Sequence, residues 1–263
     1  SFPELSRNGI YNVEYEVELD NGKKVSKTDR IDFTVAAYSG NKIVIDGYLN
    51  ENEWSDKTWM YADTANDVFA ESLNVSHWGG IDDLSAKVDV AWDEKYFYMG
   101  AIVTDNIHYS NFDASMSYMG DDIQFAVYHD INQYLAFGQA GARFNEFGIS
   151  LTPTGSSIWK WIAQTEDTAP GAVTEGVESA VRRDGNKTYY EVKMPWKTMF
   201  GYDYTPKAGD YLGFTYAVND NDADADGRRL GIQYAGGIIG GKNANLFGKM
   251  QLIKGQDNES EGE

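Results

Sequence analysis

The chain contains no cysteine. Disulfide frameworks, zinc–thiolate sites and thiol nucleophiles are therefore excluded. Secretion is not, because a domain of this size can hold its core without covalent staples. No apolar run approaches the roughly 20 residues that a membrane-spanning helix needs. Basic residues are few: 22 Lys and Arg stand against 41 Asp and Glu, a formal charge of −19. A nucleic-acid partner needs phosphates neutralised by Lys and Arg, and an anionic membrane needs a basic patch, so this balance argues against both. It is compatible with divalent cations. No signal peptide and no initiator Met precede Ser1, which reads as a mature or excised fragment. H-E-x-x-H and G-x-S-x-G are absent, and no carboxylate pair for glycoside hydrolysis can be assigned from spacing alone. The expectation is a domain without an activity of its own.

What is abundant is aromatic and glycine. Aromatics make up 14% of 263 residues, with 18 Tyr, and there are 27 Gly against 5 Pro. That mixture suits strands joined by short turns. Tyr11, Val13, Tyr15, Val17 and Leu19 alternate with polar residues, and Asp20-Asn21-Gly22-Lys23 is a turn in which Asn-Gly tolerates positive φ. Ile31, Phe33 and Val35 continue the return strand. Residues 1–38 thus read as a hairpin, which either packs on the main body or is the remnant of an upstream immunoglobulin-like domain. Residues 39–254 form the main body. Strands are predicted around Val88–Trp92, Tyr96–Val103, Ile123–Val127, Tyr190–Met194 and Leu212–Val218. Helix is expected only as a turn at Asn50–Trp54 and a short segment after Pro195. Residues 255–263 are acidic, lack apolar side chains and read as a tail or linker. The fold class is all-β, an antiparallel β-sandwich of jelly-roll type with an N-terminal β-hairpin.

Six motifs in order carry a family resemblance. Ile45-Asp46-Gly47 followed by Glu51 and Trp54, Val90-Ala91-Trp92-Asp93-Glu94-Lys95-Tyr96-Phe97-Tyr98, Val103-Thr104-Asp105, Gly120-Asp121-Asp122-Ile123-Gln124-Phe125, Glu191-Val192-Lys193-Met194-Pro195-Trp196, and Gly213 to Asp220 with Phe247-Gly248 to Leu252 resemble the family 9 carbohydrate-binding modules. The resemblance spans about residues 41–254. It implies a jelly-roll sandwich appended to bacterial extracellular polysaccharide hydrolases or surface proteins, with structural calcium. It also implies a site in which two tryptophans sandwich a terminal sugar beside a Glu, an Arg and an Asn. Here the first tryptophan falls at Tyr118 and the Glu at Gln124. The Arg position falls near Gly148 or Ala136, which leaves no arginine, and the loop Gly236 to Asn243 offers no second aromatic ring.

The candidate carbohydrate ligands are therefore Tyr118, Gln124, Trp78, Trp159, Trp161 and Asn243. Flat rings meet the C–H faces of sugars, and amides meet their hydroxyls. Trp159 and Trp161, two apart, belong on one strand face. Trp54, Trp92 and Trp196 belong in the core. Asp222, Asp224 and Asp226 alternate before Gly227 like half of a calcium loop, and Asp105 and Asp121 add a second acidic cluster. Calcium is the expected cofactor. Gly236 to Lys242 almost spells a phosphate loop, but Asn243 follows and no helix is expected there.

The function these readings predict is a non-catalytic carbohydrate-binding module. It would hold a secreted or cell-surface bacterial protein on plant or microbial polysaccharide, alongside other domains of the same polypeptide. A structural spacer that has lost the sugar site is the alternative. A haem-binding sandwich, with ligands drawn from His77, His108, His129, Met99, Met116 and Met119, is a third.

Overall fold

A computed structural model describes residues 8–40, 42–54, 58–69, 78–129, 144–163, 171–173, 175–222, 227–228 and 230–254. Among these residues the chain is almost entirely strand: β1 Gly9–Glu18, β2 Lys24–Tyr38, β3 Met60–Ala62, β4 Leu84–Trp92, β5 Tyr96–Asp105, β6 Asp122–Tyr128, β7 Asn145–Thr152, β8 Gly155–Ile162, β9 Gly171–Ala172, β10 Glu178–Asp184, β11 Lys187–Pro195, β12 Tyr211–Asp220, β13 Leu230–Tyr234 and β14 Gly248–Ile253. One short helix, α1 Trp196–Phe200, follows Pro195 as expected and ends at Gly201, whose φ of 78° closes it in a left-handed cap.

The strands form a β-sandwich. One layer runs β10-β11-β5-β4 with β3 beside β4; the other runs β14-β12-β6-β7-β8-β9 with β13 beside β12. Strand β2 links them. Its first part pairs antiparallel with β1, from Glu18↔Lys24 to Gly9↔Phe33. Its last residues pair parallel with β14, as in Met250↔Thr34, and with β4, as in Tyr38↔Trp92. These two parallel pairings make an otherwise antiparallel sheet mixed. The hairpin's return strand is thus itself a strand of the main sheet, while the far part of the hairpin, from Tyr15 to Val25, stands in solvent.

Alternation decides which side chains enter the core. On β5, Phe97, Met99, Ala101 and Val103 point inward; on β6, Ile123, Phe125 and Val127 do; on β12, Leu212, Phe214, Tyr216 and Val218 do. Phe97 stacks on Phe125 across the layers, ring centroids 6.0 Å apart and nearly parallel. Trp92 and Trp196 are buried in this cluster. The same alternation turns Gln124 of β6, Glu146 and Gly148 of β7 and Trp159 of β8 to the outer face of the second layer.

The two outer faces differ. On the first layer, residues 42–54 and Trp59 cover the sheet: Ile43, Trp54, Trp59, Ala91 and Tyr98 form a second small core. On the second layer, Phe144, Ile238, Ala244 and Phe247 cover the outer face at Ala126, Tyr128 and Ala217, and only the part over Gln124, Glu146 and Gly148 is left open, beside a loop that contains Ile238 to Lys242. Among the described residues no helix is long and apolar enough to cross a membrane.

Candidate functional site

The open face of β6–β7–β8 holds a cleft of about 380 Å³, within the usual size range of ligand pockets. Its floor is Gln124 and Glu146. Tyr118, Trp161, Arg228, Ile238, Ile239, Gly241 and Lys242 complete its lining.

Trp161 reaches the cleft through a break in strand pairing. Glu146 pairs with Ile162 and Phe147 with Lys160, so Trp161 is skipped. Such a bulge re-aims the extra residue's side chain. The indole lies over Gly148, where an added Cβ would sit 2.2 Å from the ring, so only glycine leaves it room. Its Nε1 donates to the Ser115 carbonyl at 3.0 Å. That bond ties it to the 3₁₀ turn Ala114–Met119, which carries Tyr118. The turn is anchored from below: Ser117 Oγ donates to Asp122 Oδ2 at 2.7 Å, and Asn219 Nδ2 donates to Asp122 Oδ1 at 2.7 Å. Burial pushes the Asp122 carboxyl up to about 7, while those two bonds pull it down. The Tyr118 and Trp161 rings meet edge to face, centroids 6.0 Å apart and 72° between planes. They form a corner, not a parallel clamp.

The polar groups of the floor are incompletely satisfied. Gln124 Oε1 and Glu146 Oε2 are buried without a hydrogen-bond partner among the described residues. Glu146 is 1% exposed, and its other oxygen accepts from Lys242 Nζ at 2.6 Å. Burial raises the Glu146 carboxyl, against the pull of Lys242. An unmade bond on a buried acceptor is costly, so orphan acceptors on a cleft floor favour a ligand rich in hydroxyl donors. An arginine does reach the cleft, contrary to the expectation from Gly148 and Ala136. Arg228 comes from the β12–β13 connection, donates to Asn219 Oδ1 at 2.8 Å and lies 5.9 Å from the Tyr118 ring. Ala136 lies outside the described residues.

Of the six residues proposed from sequence as sugar ligands, Tyr118, Gln124 and Trp161 come together here. Trp159 is half-buried and outside the cleft lining. Trp78 donates Nε1 to the Leu84 carbonyl at 2.9 Å and packs against the main core. Asn243 caps the 3₁₀ turn Ala244–Leu246 by accepting from Asn245 N. Glu146, Arg228 and Lys242 were missed. Glu146 stands opposite Ala126, one row from the Gln124–Gly148 pair, but only a strand register could show that. Met99 is a fully buried core residue, and His129 Nδ1 lies 2.5 Å from the Tyr202 hydroxyl.

The two acidic clusters read from sequence meet at one end of the sandwich. Ligand-type atoms of Asp105, His108 and Asp121 lie within 4.8 Å of one another, and so do those of Asp105, Asp220 and Asp222. Asp224 and Asp226 fall outside the described residues. Asp220 was not anticipated, although it ends the strand that carries Asn219. Burial, then the carboxylates of Asp121, Asp105, Asp222 and Asp83, push its own carboxyl up to about 9. Its Oδ1 is buried without a partner among the described residues. Asp105 is also raised, by burial and Asp121, against its 2.9 Å pair with Arg183. Asp121 holds the neighbouring loops by accepting from Tyr109 N and Asn221 N.

Residues 60–255 match the carbohydrate family 9 binding domain-like family. The chain belongs to this family. Among solved structures it resembles a family 9 carbohydrate-binding module from Caldicellulosiruptor kristjanssonii in complex with cellotriose. The TM-score is 0.59 and the identity 16%, over 86% of this chain and 96% of that one. The glucose complex of a family 9 module from that organism gives a TM-score of 0.58 at 16% identity, over 86% and 100%. A putative carbohydrate-binding protein from Bacteroides uniformis gives 0.50 at 10% identity, over 83% and 97%. At such identities the likeness is one of fold. No curated protein matches the chain. The family match starts at Met60, so β1, β2 and the Trp54 segment of this family 9 domain lie before it.

Proposed function

We propose that this family 9 domain is a non-catalytic module that binds a polysaccharide through the Tyr118–Trp161 cleft and keeps a secreted or cell-surface bacterial protein at its substrate. The observation that carries this reading is the pair of rings cornered over the orphan acceptors Gln124 Oε1 and Glu146 Oε2. An apolar corner beside unsatisfied acceptors suits a sugar ring, which has apolar C–H faces and hydroxyl donors. Weak binding suffices, because a tethered second contact raises the effective concentration of the partner domain at the polymer.

Calcium is the second part of the reading. Asp105, Asp121, Asp220 and Asp222 supply the hard oxygen donors that this ion prefers, and the orphan Asp220 Oδ1 fits a cation. Asp121 and Asp122 are consecutive, and Asp122 anchors the turn that carries Tyr118. An ion held by the acidic end would therefore brace that turn.

The test is retention on an array of soluble plant and microbial polysaccharides, with calcium and with chelator. Retention on one glycan class is expected, weakened at least about tenfold in Tyr118→Ala by loss of the ring's stacking face. Absence of retention by folded, calcium-replete protein would leave the spacer as the better reading.

A further inference from the structure

A second cleft, of about 570 Å³, lies between the base of the β1–β2 hairpin, the turn after β3 and the loop after β13. Tyr11 and Asn12 of β1, Arg30 of β2, Tyr61 of β3, Asn66 and Gln233 of β13 line it. Its walls are tied in place. Asp67 Oδ2 accepts from Asp63 N at 3.0 Å, from Thr64 N at 2.8 Å and from Thr64 Oγ1 at 2.8 Å, which fixes the turn carrying Asn66. Arg30 donates Nε to Asp32 Oδ1 at 2.9 Å and Nη2 to the Phe247 carbonyl at 3.3 Å, which joins the hairpin to the opposite loop. Asn8 Nδ2 donates to the Thr58 carbonyl at 2.6 Å.

Two further observations point to a ligand. Gln233 Oε1 is buried with no hydrogen-bond partner among the described residues. Ala235, also on the lining, holds φ at 65°, a left-handed conformation that costs a non-glycine residue energy. Strained backbone of this kind gathers at binding sites. Ile239 lines both this cleft and the Tyr118 cleft.

We infer that this cleft is a second carbohydrate subsite, which takes a further stretch of the same neutral glycan chain as the Tyr118 cleft. The inference rests on the proposed function of that first cleft. Tyr11 and Tyr61 place aromatic residues on the lining, and the amides of Asn12, Asn66 and Gln233 supply donors and acceptors for hydroxyls. The glycan is neutral because the Arg30 charge is already paired with Asp32 and because Asp67 stands on the same lining. Residues 8–12 and 30 precede the family match. Two subsites on one chain make affinity grow with chain length.

The experiment is calorimetric titration of the whole chain with cello- and xylo-oligosaccharides from monosaccharide to hexasaccharide. Wild type, Tyr11→Ala and the double variant Asn12→Ala/Asn66→Ala, whose side chains are exposed, are compared. Wild-type affinity is expected to rise at least about tenfold from disaccharide to hexasaccharide. Both variants are expected to bind disaccharide like wild type and to lose the rise. A flat length series in wild type, or a rise that survives in both variants, overturns the second subsite and leaves the first intact. Failure of every probe to bind wild type, together with no retention on the polysaccharide array, overturns both.

Discussion

On the outer face of the first layer, Gly100 of β5 makes room for the indole of Trp54; on the outer face of the second, Gly148 of β7 makes room for that of Trp161. An added Cβ would come within 2.9 Å of Trp54 in one case and 2.2 Å of Trp161 in the other. The polar partners separate the two. Opposite Gly100 stands Glu191, whose Oε1 accepts from Trp54 Nε1 and whose Oε2 accepts from Asp46 N and Gly47 N. Burial raises that carboxyl and these three bonds offset part of the effect. Opposite Gly148 stands Gln124, with an orphan oxygen, and one row away Glu146 with another. A tryptophan over a glycine is thus used twice. Over Gly100 the facing glutamate spends both oxygens on the indole and on backbone N–H groups, and the ring is a plug; over Gly148 the facing acceptors are left over, and the ring walls a cleft.

The comparison breaks first at Trp54. Trp54→Ala is expected to cost about 3–5 kcal/mol, from the cavity and from the donor lost to Glu191. Urea denaturation measures it, and binding by the remaining folded protein should be unchanged. A cost below about 1 kcal/mol would mean that the plug is not structural. The two glycines sharpen the contrast. Gly100→Ala should cost about 1–3 kcal/mol of stability, because Trp54 is 3% exposed and cannot move aside. Gly148→Ala should displace the half-exposed Trp161, lowering glycan affinity at least about tenfold at a cost in stability below about 1 kcal/mol. Equal losses of stability in both would erase the distinction.

The smallest expected effect is a pH slope at the acidic end of the open layer. Burial raises Asp122 to about 7, and burial with its carboxylate neighbours raises Asp220 to about 9, from an ordinary value of 3.8. A carboxyl raised on folding stabilises the fold fully below its unfolded value, and that contribution is lost as pH rises through the folded one. In chelator the melting temperature should therefore fall between pH 5 and pH 9. Calcium should remove much of the fall by binding the folded state. Asp220→Asn should flatten it without calcium and abolish the calcium response. A flat profile for the chelated wild type would count against the crowded carboxylates.

Period-two alternation was enough to read β4, β6, β11 and β12, because every second residue reports the face in the core, and β5 was read as an apolar run. Trp92, at the end of β4, and Trp196, after β11, were placed in the core from their neighbours and the family resemblance. The cleft was half legible. Tyr118 and Gln124 lie on or beside a strand whose pattern is regular. Trp161 was read as a ligand from its spacing to Trp159, but the bulge that sets it over Gly148 leaves no mark on composition. Arg228 and Lys242 arrive from connections whose path is set by strands far away in sequence, so no local spacing could place them. The acidic end shows the same limit. Asp105 and Asp121 were visible as a cluster, whereas Asp220 joins them because β12 runs beside β6.

Strand β2 has a consequence in time. Its residue Thr34 pairs with Met250, 216 positions later, and its Tyr38 pairs with Trp92. During synthesis β3, β4 and β5 can gather at β2 early, whereas β10 and β11 complete the first layer later and β14 joins β2 to the second layer only once the chain has been made beyond Met250. Contacts of such span are slow to form, since the closure entropy is met before any pairing rewards it. The seam between the two layers is thus the part of the fold slowest to close.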